Sequence, residues 1–291
     1  MPDVEIITDI HETEKIWMAY KDESICSSWK YRSCFFDPDV FETHFVIVNG
    51  PTSILGVVPL WKEKRTGELD WFGGEFFDGN RFFVHDVSKI PLVLERISGP
   101  VHLISIPMDQ GASAQLPIDD YRYFIDIEKI GYSFDGFLKR FSSKHRKNLR
   151  YDLEKLTTHC EVYHNRVEDF VYMVEQNIKR NENSFFLDEW FRNGFKRMVL
   201  AAKESNELEM LSICIDGVLA SVQVAILHNR EYLVLLGGND PDIKNVGKLM
   251  MMEHIKNAIA KKAKIVDFMS TDTGWKQLWN LDAEPVYAFK K

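Results

Sequence analysis

Residues 237–249 read G-G-N-D-P-D-I-K-N-V-G-K-L, and they stand between a predicted strand and a predicted helix. The strand is expected over 232–236, and apolar residues at helical spacing predict the helix over 247–263. Such a loop offers backbone N–H groups, and the first turn of the helix adds unpaired N–H groups and a positive dipole end. Because Lys244 and Lys248 lie beside them, the segment is typical of a site for phosphate or another anion. A solvated turn before an ordinary helix is the alternative interpretation.

The elements around this loop recur in an order that predicts two tandem halves. Periodicities of two and 3.6 residues over 161–291 predict β, α, α, β, β, β, α, β, α, β. The first 130 residues give nearly the same order, and a repeated order without repeated sequence suggests duplication. A length of 291 residues suits two domains of about 100–150 residues.

A basic segment stands between the two halves. Apolar residues recur every three or four positions over 134–156, which predicts a helix in one or two pieces, divided at Ser142 and Ser143. Its cations are Lys139, Arg140, Lys144, Arg146, Lys147 and Arg150. This face could bind the phosphates of a donor, an acceptor or a tRNA. We favour a solvated helix face, because the chain as a whole is negative.

Composition narrows the classes of function. The formal net charge of −8 disfavours a broad nucleic-acid-binding surface, because phosphate neutralisation needs cations. The four cysteines, Cys26, Cys34, Cys160 and Cys214, form neither a C-x-x-C pair nor a zinc pattern with histidine, which predicts free thiols in a reducing compartment and no metal site. The sequence shows no signal-peptide pattern and no window approaching the roughly 20 apolar residues of a membrane span. We therefore expect a cytoplasmic protein with no membrane span; the sequence does not fix its oligomeric state.

Three stretches resemble the FemAB-related acetyltransferases, also described as CelD-like, of the GNAT superfamily. Trp71-Phe72-Gly73-Gly74-Glu75, followed by Asp78 and Asn80, resembles the F-G-G…D-Y-N-D segment of that group. Residues 137–150, F-L-K-R-F-S-S-K-H-R-K-N-L-R, are similar to its basic linker helix. Residues 237–247, then Val266-Asp267-Phe268, Lys276 and Trp279, resemble its G-Y-D…G…D-F…K…W ending. The resemblance extends from about residue 45 to the C-terminus.

This resemblance implies an α/β fold of tandem GNAT-like (acyl-CoA N-acyltransferase) domains, with mixed central sheets flanked by helices. It divides the chain into an N-terminal half without a cofactor site (1–130), a basic linker helix (131–158) and a C-terminal half with an acyl-CoA site (159–291). In that fold the fourth strand aligns the coenzyme arm, and the following loop and helix bind its pyrophosphate. The cofactor-binding residues so implied are Leu236, Gly237, Asn239, Lys244, Asn245, Val246, Gly247 and Lys248.

Three carboxylates are candidate catalytic residues. Asp267 is unusual within a buried strand; it would act as a general base, orient Lys276 or form a structural ion pair. Glu75 and Asp78 lie near an aromatic patch that could line an acceptor groove between the halves, where one of them would take a proton from an attacking amine. The candidate substrate-binding residues are Trp71, Phe72, Gly73 and Lys276, with an interdomain core as the alternative for the aromatic residues. His254, on the helix after the loop, is expected to be structural and partly exposed.

The sequence thus predicts an N-acyltransferase that moves an acyl group from acetyl-CoA or another acyl-CoA to a small-molecule or cell-envelope amine. The amine would attack the thioester carbonyl directly. Two alternatives stay open. One is a FemAB-like aminoacyl transferase that uses aminoacyl-tRNA, which the basic helix favours and the net charge opposes. The other is a non-catalytic binding protein that keeps the same scaffold.

Overall fold

A computed structural model describes residues 3–20, 23–51, 53–272 and 274–291, and of residue 155 only the backbone. The chain forms two compact units. The first holds Met1–Arg122 and Ala283–Lys291, and the second holds Tyr123–Asp282. The boundaries predicted at 130/131 and 158/159 both fall inside the second unit, as does the basic segment between them.

The first unit is built around a small antiparallel sheet. Its elements are β1 (Asp3–Ile7), α1 (Ile10–Tyr20), α2 (Trp29–Arg32), β2 (Phe41–Asn49), β3 (Ile54–Glu63), β4 (Leu69–Trp71), α3 (Ile90–Arg96), β5 (His102–Ile106) and α4 (Met108–Ser113). Strands β1 to β4 pair in that order. Aliphatic side chains of β2, β3, α3 and β5 bury themselves around Trp71 and Phe82, so this unit has a core of its own.

The second unit carries most of the helices. From residue 118 onward the elements are β6 (Ile118–Asp126), α5 (Phe134–Leu138), α6 (Ser143–Thr157), β7 (Cys160–His164), α7 (Phe170–Arg180), α8 (Glu189–Glu204), β8 (Leu211–Ile215), β9 (Val218–His228), β10 (Glu231–Asn239), α9 (Val246–Ala260), β11 (Ile265–Asp267) and β12 (Asp282–Lys290). The predicted break between α5 and α6 is confirmed, because the Ser142 hydroxyl accepts the N–H of His145 and caps α6. The predicted order of elements from 161 onward is also observed, with the last predicted helix present as a 3₁₀ turn over Lys276–Trp279. Strand β12 belongs to the first unit from Ala283, where it pairs antiparallel with β5.

The sheet of the second unit has the order β6-β11-β10-β9-β8-β7. Its neighbours are antiparallel except β10 and β11, which run parallel. Parallel neighbours need a crossover, and here α9 supplies it. The loop that leads into α9 therefore stands at the carboxyl end of β10, which is where open α/β sheets bind ligands.

Helix α9 is buried on more than one face. It packs against the sheet and against α5 and α6, and its eight buried residues include His254, which has no exposed surface. The expectation that His254 is partly exposed was therefore wrong, because a helix covered on two sides has no solvent face at that position. Within the residues described, no helix combines the length and the apolar composition needed to cross a membrane.

Candidate functional site

A cleft of about 570 Å³ opens at the carboxyl end of β10. Helix α7 supplies one side of its lining, the loop 240–245 and the first turn of α9 supply another, and Phe268, Trp275 and Trp279 contribute aromatic surface. Seven of the eight residues predicted to bind the cofactor line this cleft, and Leu236 is the exception. The structure thus brings almost the whole predicted set together in one place.

Strand β10 has an open edge beside the cleft. Its parallel pairing with β11 ends at Leu233 and Asp267, whereas β10 continues to Asn239. On the other side β10 pairs with β9 and carries one extra residue between Val234 and Gly237, a β-bulge. From Val234 onward, β10 therefore has no strand neighbour on the β11 side among the described residues. Backbone groups on such an edge can bind an extended ligand as a further strand would.

Helix α7 comes close to β10 because of a glycine. A Cβ atom at Gly238 would lie 2.2 Å from the carbonyl oxygen of Met173 and 2.9 Å from Cβ of Gln176. Only glycine allows this approach without displacing the helix. The Asn177 amide then reaches across and donates to the carbonyl of Gly237 at 2.7 Å. The result is that the last turn of α7 faces the cleft.

The start of α9 is shaped to receive an anion. Asn245 precedes the helix in the left-handed conformation, with φ of 68°, which asparagine tolerates better than most residues. The N–H groups of Lys248 and Leu249 bond to the Asn245 carbonyl, at 3.0 and 3.2 Å. The N–H of Gly247 has no hydrogen-bond partner within the described chain. The positive end of the helix dipole thus coincides with an open donor.

Cations outnumber carboxylates in the cleft lining. Arg180 and Lys244 are exposed. The Lys248 ammonium lies 2.6 Å from a carboxylate oxygen of Asp152 on α6, so its charge is already partly compensated. Asp240 is the one acidic side chain among the described lining residues, and it accepts the N–H of Asp242 at 2.9 Å. An anionic ligand therefore fits the cleft electrostatically.

Asp267 and Lys276 are not among the lining residues of the cleft, although their chain neighbours Phe268 and Trp275 are. The side chains of Asp267 and Lys276 are buried. The Asp267 carboxylate accepts the N–H of Met269 at 2.7 Å, and the Lys276 ammonium donates to the carbonyls of Met269, at 2.9 Å, and Ser270. These bonds hold the segment after β11 in a tight conformation, in which Met269 has φ of 62°. The general-base role of Asp267 and the substrate-binding role of Lys276 stay predictions.

The aromatic candidates of the first unit lie in its core. Trp71 and Phe72 are almost fully buried. The Phe72 ring stacks on Trp29 with centroids 4.7 Å apart, and a Cβ at Gly73 would lie 2.8 Å from Cβ of Arg32. Trp71 and Phe72 are thus packed as core residues of the first unit, and a substrate-binding role for these residues stays a prediction.

The two acidic candidates of the first unit differ in exposure. Asp78 is 3% exposed and accepts the hydroxyl of Ser105 at 3.2 Å, so its side chain has a structural partner. Glu75 is exposed. Their predicted catalytic roles are untested by this geometry.

Sequence reasoning missed the polar residues that α7 and β9 bring to the cleft, namely Gln176, Asn177, Arg180, Asn181 and Gln223. Positions 176, 177, 180 and 181 follow the i, i+1, i+4, i+5 spacing of one helix face. That spacing was visible, but the same pattern describes any solvated helix face. Only the contact of α7 with Gly238 distinguishes a helix face that lines the cleft from a solvated helix face.

A second cleft of about 450 Å³ lies on the other side of Lys248. It is lined from α6 by Lys144, His145 and Asn148, among others, and it shares Lys248 and Trp279 with the larger cleft. Lys248 therefore stands between two concave surfaces of the second unit.

Comparison with known proteins agrees with this arrangement. Residues 143–277 match the acetyltransferase (GNAT) domain family, and no curated protein matches the chain in sequence. Among solved structures, FemX is 12% identical, with a TM-score of 0.62 over 99% of this chain and 96% of FemX. The tandem GNAT protein from the clavulanic acid biosynthesis pathway, solved without AcCoA, is 9% identical, with a TM-score of 0.54 over 100% of this chain and 98% of that one. L-PGS from Bacillus licheniformis is 10% identical, with a TM-score of 0.57 over 97% and 91%.

These structures show the fold across almost the entire chain, and they confirm the predicted α/β fold class. The family match places the acetyltransferase domain around the cleft at β10 and α9. Residues 143–277 thus match the acetyltransferase (GNAT) domain family, and the chain has the tandem GNAT-like fold that its resemblance to the FemAB-related acetyltransferases predicted.

Proposed function

We propose that the protein is an N-acyltransferase that transfers an acyl group from acyl-CoA to an amine. The observation that carries this proposal is the meeting of two features in one cleft. One is the open edge of β10 beyond Leu233, and the other is the anion-binding start of α9. Acyl-CoA combines an extended arm containing amide groups with a pyrophosphate, so it matches both features.

The donor would bind along β10 and at α9. The N–H groups around Gly247 would hold the pyrophosphate, and the exposed Lys244 would neutralise part of its charge. The β10 edge would pair with the amides of the coenzyme arm. Lys248 would contribute less than Lys244, because Asp152 already occupies its ammonium group. Acyl-CoA supplies the thioester whose carbonyl carbon is the electrophile.

The acyl transfer itself needs few protein groups. The amine nitrogen would attack the thioester carbonyl carbon, the carbon–sulfur bond would break, and the coenzyme thiolate would leave, while the amine loses one proton. Asp240, the acidic residue of the described lining, is the candidate that could accept this proton directly or through water. Asp267, Glu75 and Asp78 stay candidates for the same role. Carboxamide variants of all four, assayed for kcat at several pH values, would separate them.

Calorimetric titration with acetyl-CoA and with free coenzyme A tests the donor. We expect micromolar binding to the wild-type protein and roughly tenfold weaker binding to Lys244→Ala, since a hydrogen bond to a charged group contributes about 1.5–3 kcal/mol. Lys248→Ala should weaken binding less. The matched control is Lys256→Ala on the same helix, whose ammonium bonds to Glu253 at 2.6 Å outside the cleft. Absence of binding to any acyl-CoA would overturn the proposal.

Aminoacyl-tRNA is the second candidate donor. Arg140 binds Asp282, and Arg146 donates to the carbonyl of Phe141, so these two cations are engaged in structure. The cations that remain exposed are Lys139, Lys144, Lys147 and Arg150. If they bind tRNA, a filter-binding assay will show an affinity that falls steeply with salt and is lost in Lys144→Ala/Lys147→Ala/Arg150→Ala.

The third candidate is a non-catalytic binding protein. Coenzyme binding without release of free thiol for any amine would favour it. The acceptor class, small-molecule or cell-envelope amines, and a cytoplasmic location are part of the proposal.

A further inference from the structure

The α7 side of the cleft carries polar side chains that the donor does not need. Tyr172, Gln176 and Arg180 are spaced four residues apart, so they lie on one face of α7. Asn177 is fixed at the same end of the helix, because its amide donates to Gly237 and its oxygen accepts the Ser184 hydroxyl at 2.6 Å. The last turn of α7 is therefore held in place, and Gln176 and Arg180 face the cleft from a rigid support.

Two of these side chains have buried atoms with no partner. The hydroxyl of Tyr172 and the side-chain oxygen of Gln176 make no hydrogen bond within the described residues, although both atoms are buried. A buried polar atom without a partner is costly and calls for an explanation. The Gln176 oxygen is an acceptor only, so its missing partner is an N–H or O–H donor. An amine in the cleft supplies such a donor once the Gln176 amide turns its oxygen toward the cleft that the residue lines.

Arg180 adds an uncompensated positive charge to the same side. It is exposed at the end of α7, and it forms no ion pair within the part of the chain that the structure describes. Asp240, the acidic residue of the described lining, is bonded to its own loop. A guanidinium group binds carboxylate and phosphate oxygens in pairs. The α7 side thus offers an acceptor for an amine and, one helical turn away, a cation for an anion.

We infer that the acyl acceptor is a small amine that also carries an anionic group, of about the size of an amino acid. Positions 176 and 180 are separated by about 6 Å along the helix axis, a length that an amino acid with a short side chain spans. The Gln176 oxygen would accept an N–H of the amine, and Arg180 would bind the carboxylate or phosphate. This inference rests on the proposed function for the transfer step, but binding of the acceptor can be measured without it.

The test uses pairs of amines that differ only in the anion. L-lysine with cadaverine and glycine with glycinamide vary the carboxylate, whereas phosphoethanolamine with ethanolamine varies a phosphate. Release of coenzyme thiol from acetyl-CoA gives kcat and KM for each amine, and a thermal shift of the full chain with coenzyme A present reports binding without turnover. The variant is Arg180→Gln, and the control is Lys179→Ala, an exposed cation one residue earlier on α7 that does not line the cleft.

We expect KM for the anionic member of at least one pair to be tenfold or more below that of its neutral partner. Arg180→Gln should abolish this preference through KM and leave kcat and the KM for acetyl-CoA within twofold, while Lys179→Ala behaves like the wild type. If KM is lower for the anionic member of the carboxylate pairs, the acceptor is an amino acid. If KM is lower only for phosphoethanolamine relative to ethanolamine, the acceptor is a phosphate ester.

Failure of the inference is distinguishable from failure of the proposed function. Turnover without preference for the anionic amines, or a preference that survives Arg180→Gln, would overturn the inference and leave the acyltransferase proposal intact. An anionic amine that raises the melting temperature through Arg180 but is never acylated would show only that the α7 side binds such amines, and it would overturn both the acceptor assignment and the acyltransferase proposal. If no member of the panel is bound or turned over, the inference is overturned as well.

Discussion

The carboxyl group of Asp70 should make the first unit less stable as the pH rises. Asp70 lies in β4 opposite Trp61 of β3. Burial raises its pKa from 3.8 to about 7, and the nearby Glu75 carboxylate adds to this while Arg32 opposes it. The folded pKa lies above the unfolded one, so between about pH 4 and pH 7 the folded state binds more protons than the unfolded state, and stability falls with rising pH through that window.

Asp70→Asn is the perturbation that isolates this effect. The Asp70 oxygen accepts the N–H of Trp71 at 2.6 Å, and an asparagine oxygen keeps this bond without a charge to desolvate. A pKa raised by about 3 units lowers the free energy of unfolding by about 4 kcal/mol at pH 8, where the carboxyl is ionised in both states. At pH 5 only about 1.5–2 kcal/mol of that penalty is present. The difference in free energy of unfolding between Asp70→Asn and the wild type should therefore grow in favour of the variant by about 2–3 kcal/mol from pH 5 to pH 8.

Urea denaturation at the two pH values, followed by tryptophan fluorescence, measures this difference. Other titrating groups change the stability of both proteins equally, so the quantity to compare is the gap between them. Asp39→Asn, at an exposed position of the same unit, is the control and should show a gap that does not change with pH. If the gap between Asp70→Asn and wild type is the same at pH 5 and pH 8, the reasoning about burial is refuted.

Three further predictions concern the second unit. Gly238→Ala should lower the free energy of unfolding by about 1–3 kcal/mol, because the added Cβ would lie 2.2 Å from the Met173 carbonyl; urea titration checks this, and an unchanged midpoint would contradict it. Arg140→Ala should cost up to about 1 kcal/mol at pH 7. Desolvation raises the pKa of Asp282, but the ion pair with Arg140 outweighs it and the pKa is lowered. The cost of Arg140→Ala in unfolding free energy should therefore shrink on acidification, because Asp282 becomes protonated. A cost that persists at pH 2 would argue against the ion pair. Desolvation also lowers the pKa of His254 to about 3, with His164 adding to it, so stability should fall as the pH drops below about 6.5. His254→Phe should reduce that fall in a circular-dichroism acid titration, and an identical acid profile would exclude the histidine as its cause.

The sequence predicted the C-terminal elements better than their environments. Strong periodicity identified helices such as α7 and α8. Strands β8 and β9 pair antiparallel across Asp216-Gly217, a dipeptide that is itself a sequence signal of a tight hairpin. The region 25–35 contains α2 between two short 3₁₀ turns, which the sequence pattern did not predict. These pieces are too short to show a period, and tertiary packing of Trp29 and Phe35 determines them.

The candidate site shows the same limit. The loop and the start of α9 were identified from local chemistry, since glycine, asparagine and lysine before a helix carry their meaning in a few neighbouring residues. The α7 side was not, because its role depends on the close packing of α7 against Gly238, some 60 residues away in sequence. The exposure of His254 was misjudged for a related reason: its ring packs against Tyr232 of β10, a tertiary contact that helical spacing does not contain.

Strand β12 has a consequence for synthesis of the chain. The first unit needs residues 283–291 to pair with β5, and these residues leave the ribosome after the entire second unit. Domains generally fold as units while the chain emerges, N-terminal parts first. Here the part that is translated first is completed last, so β5 lacks its partner strand until residues 287–290 have been translated.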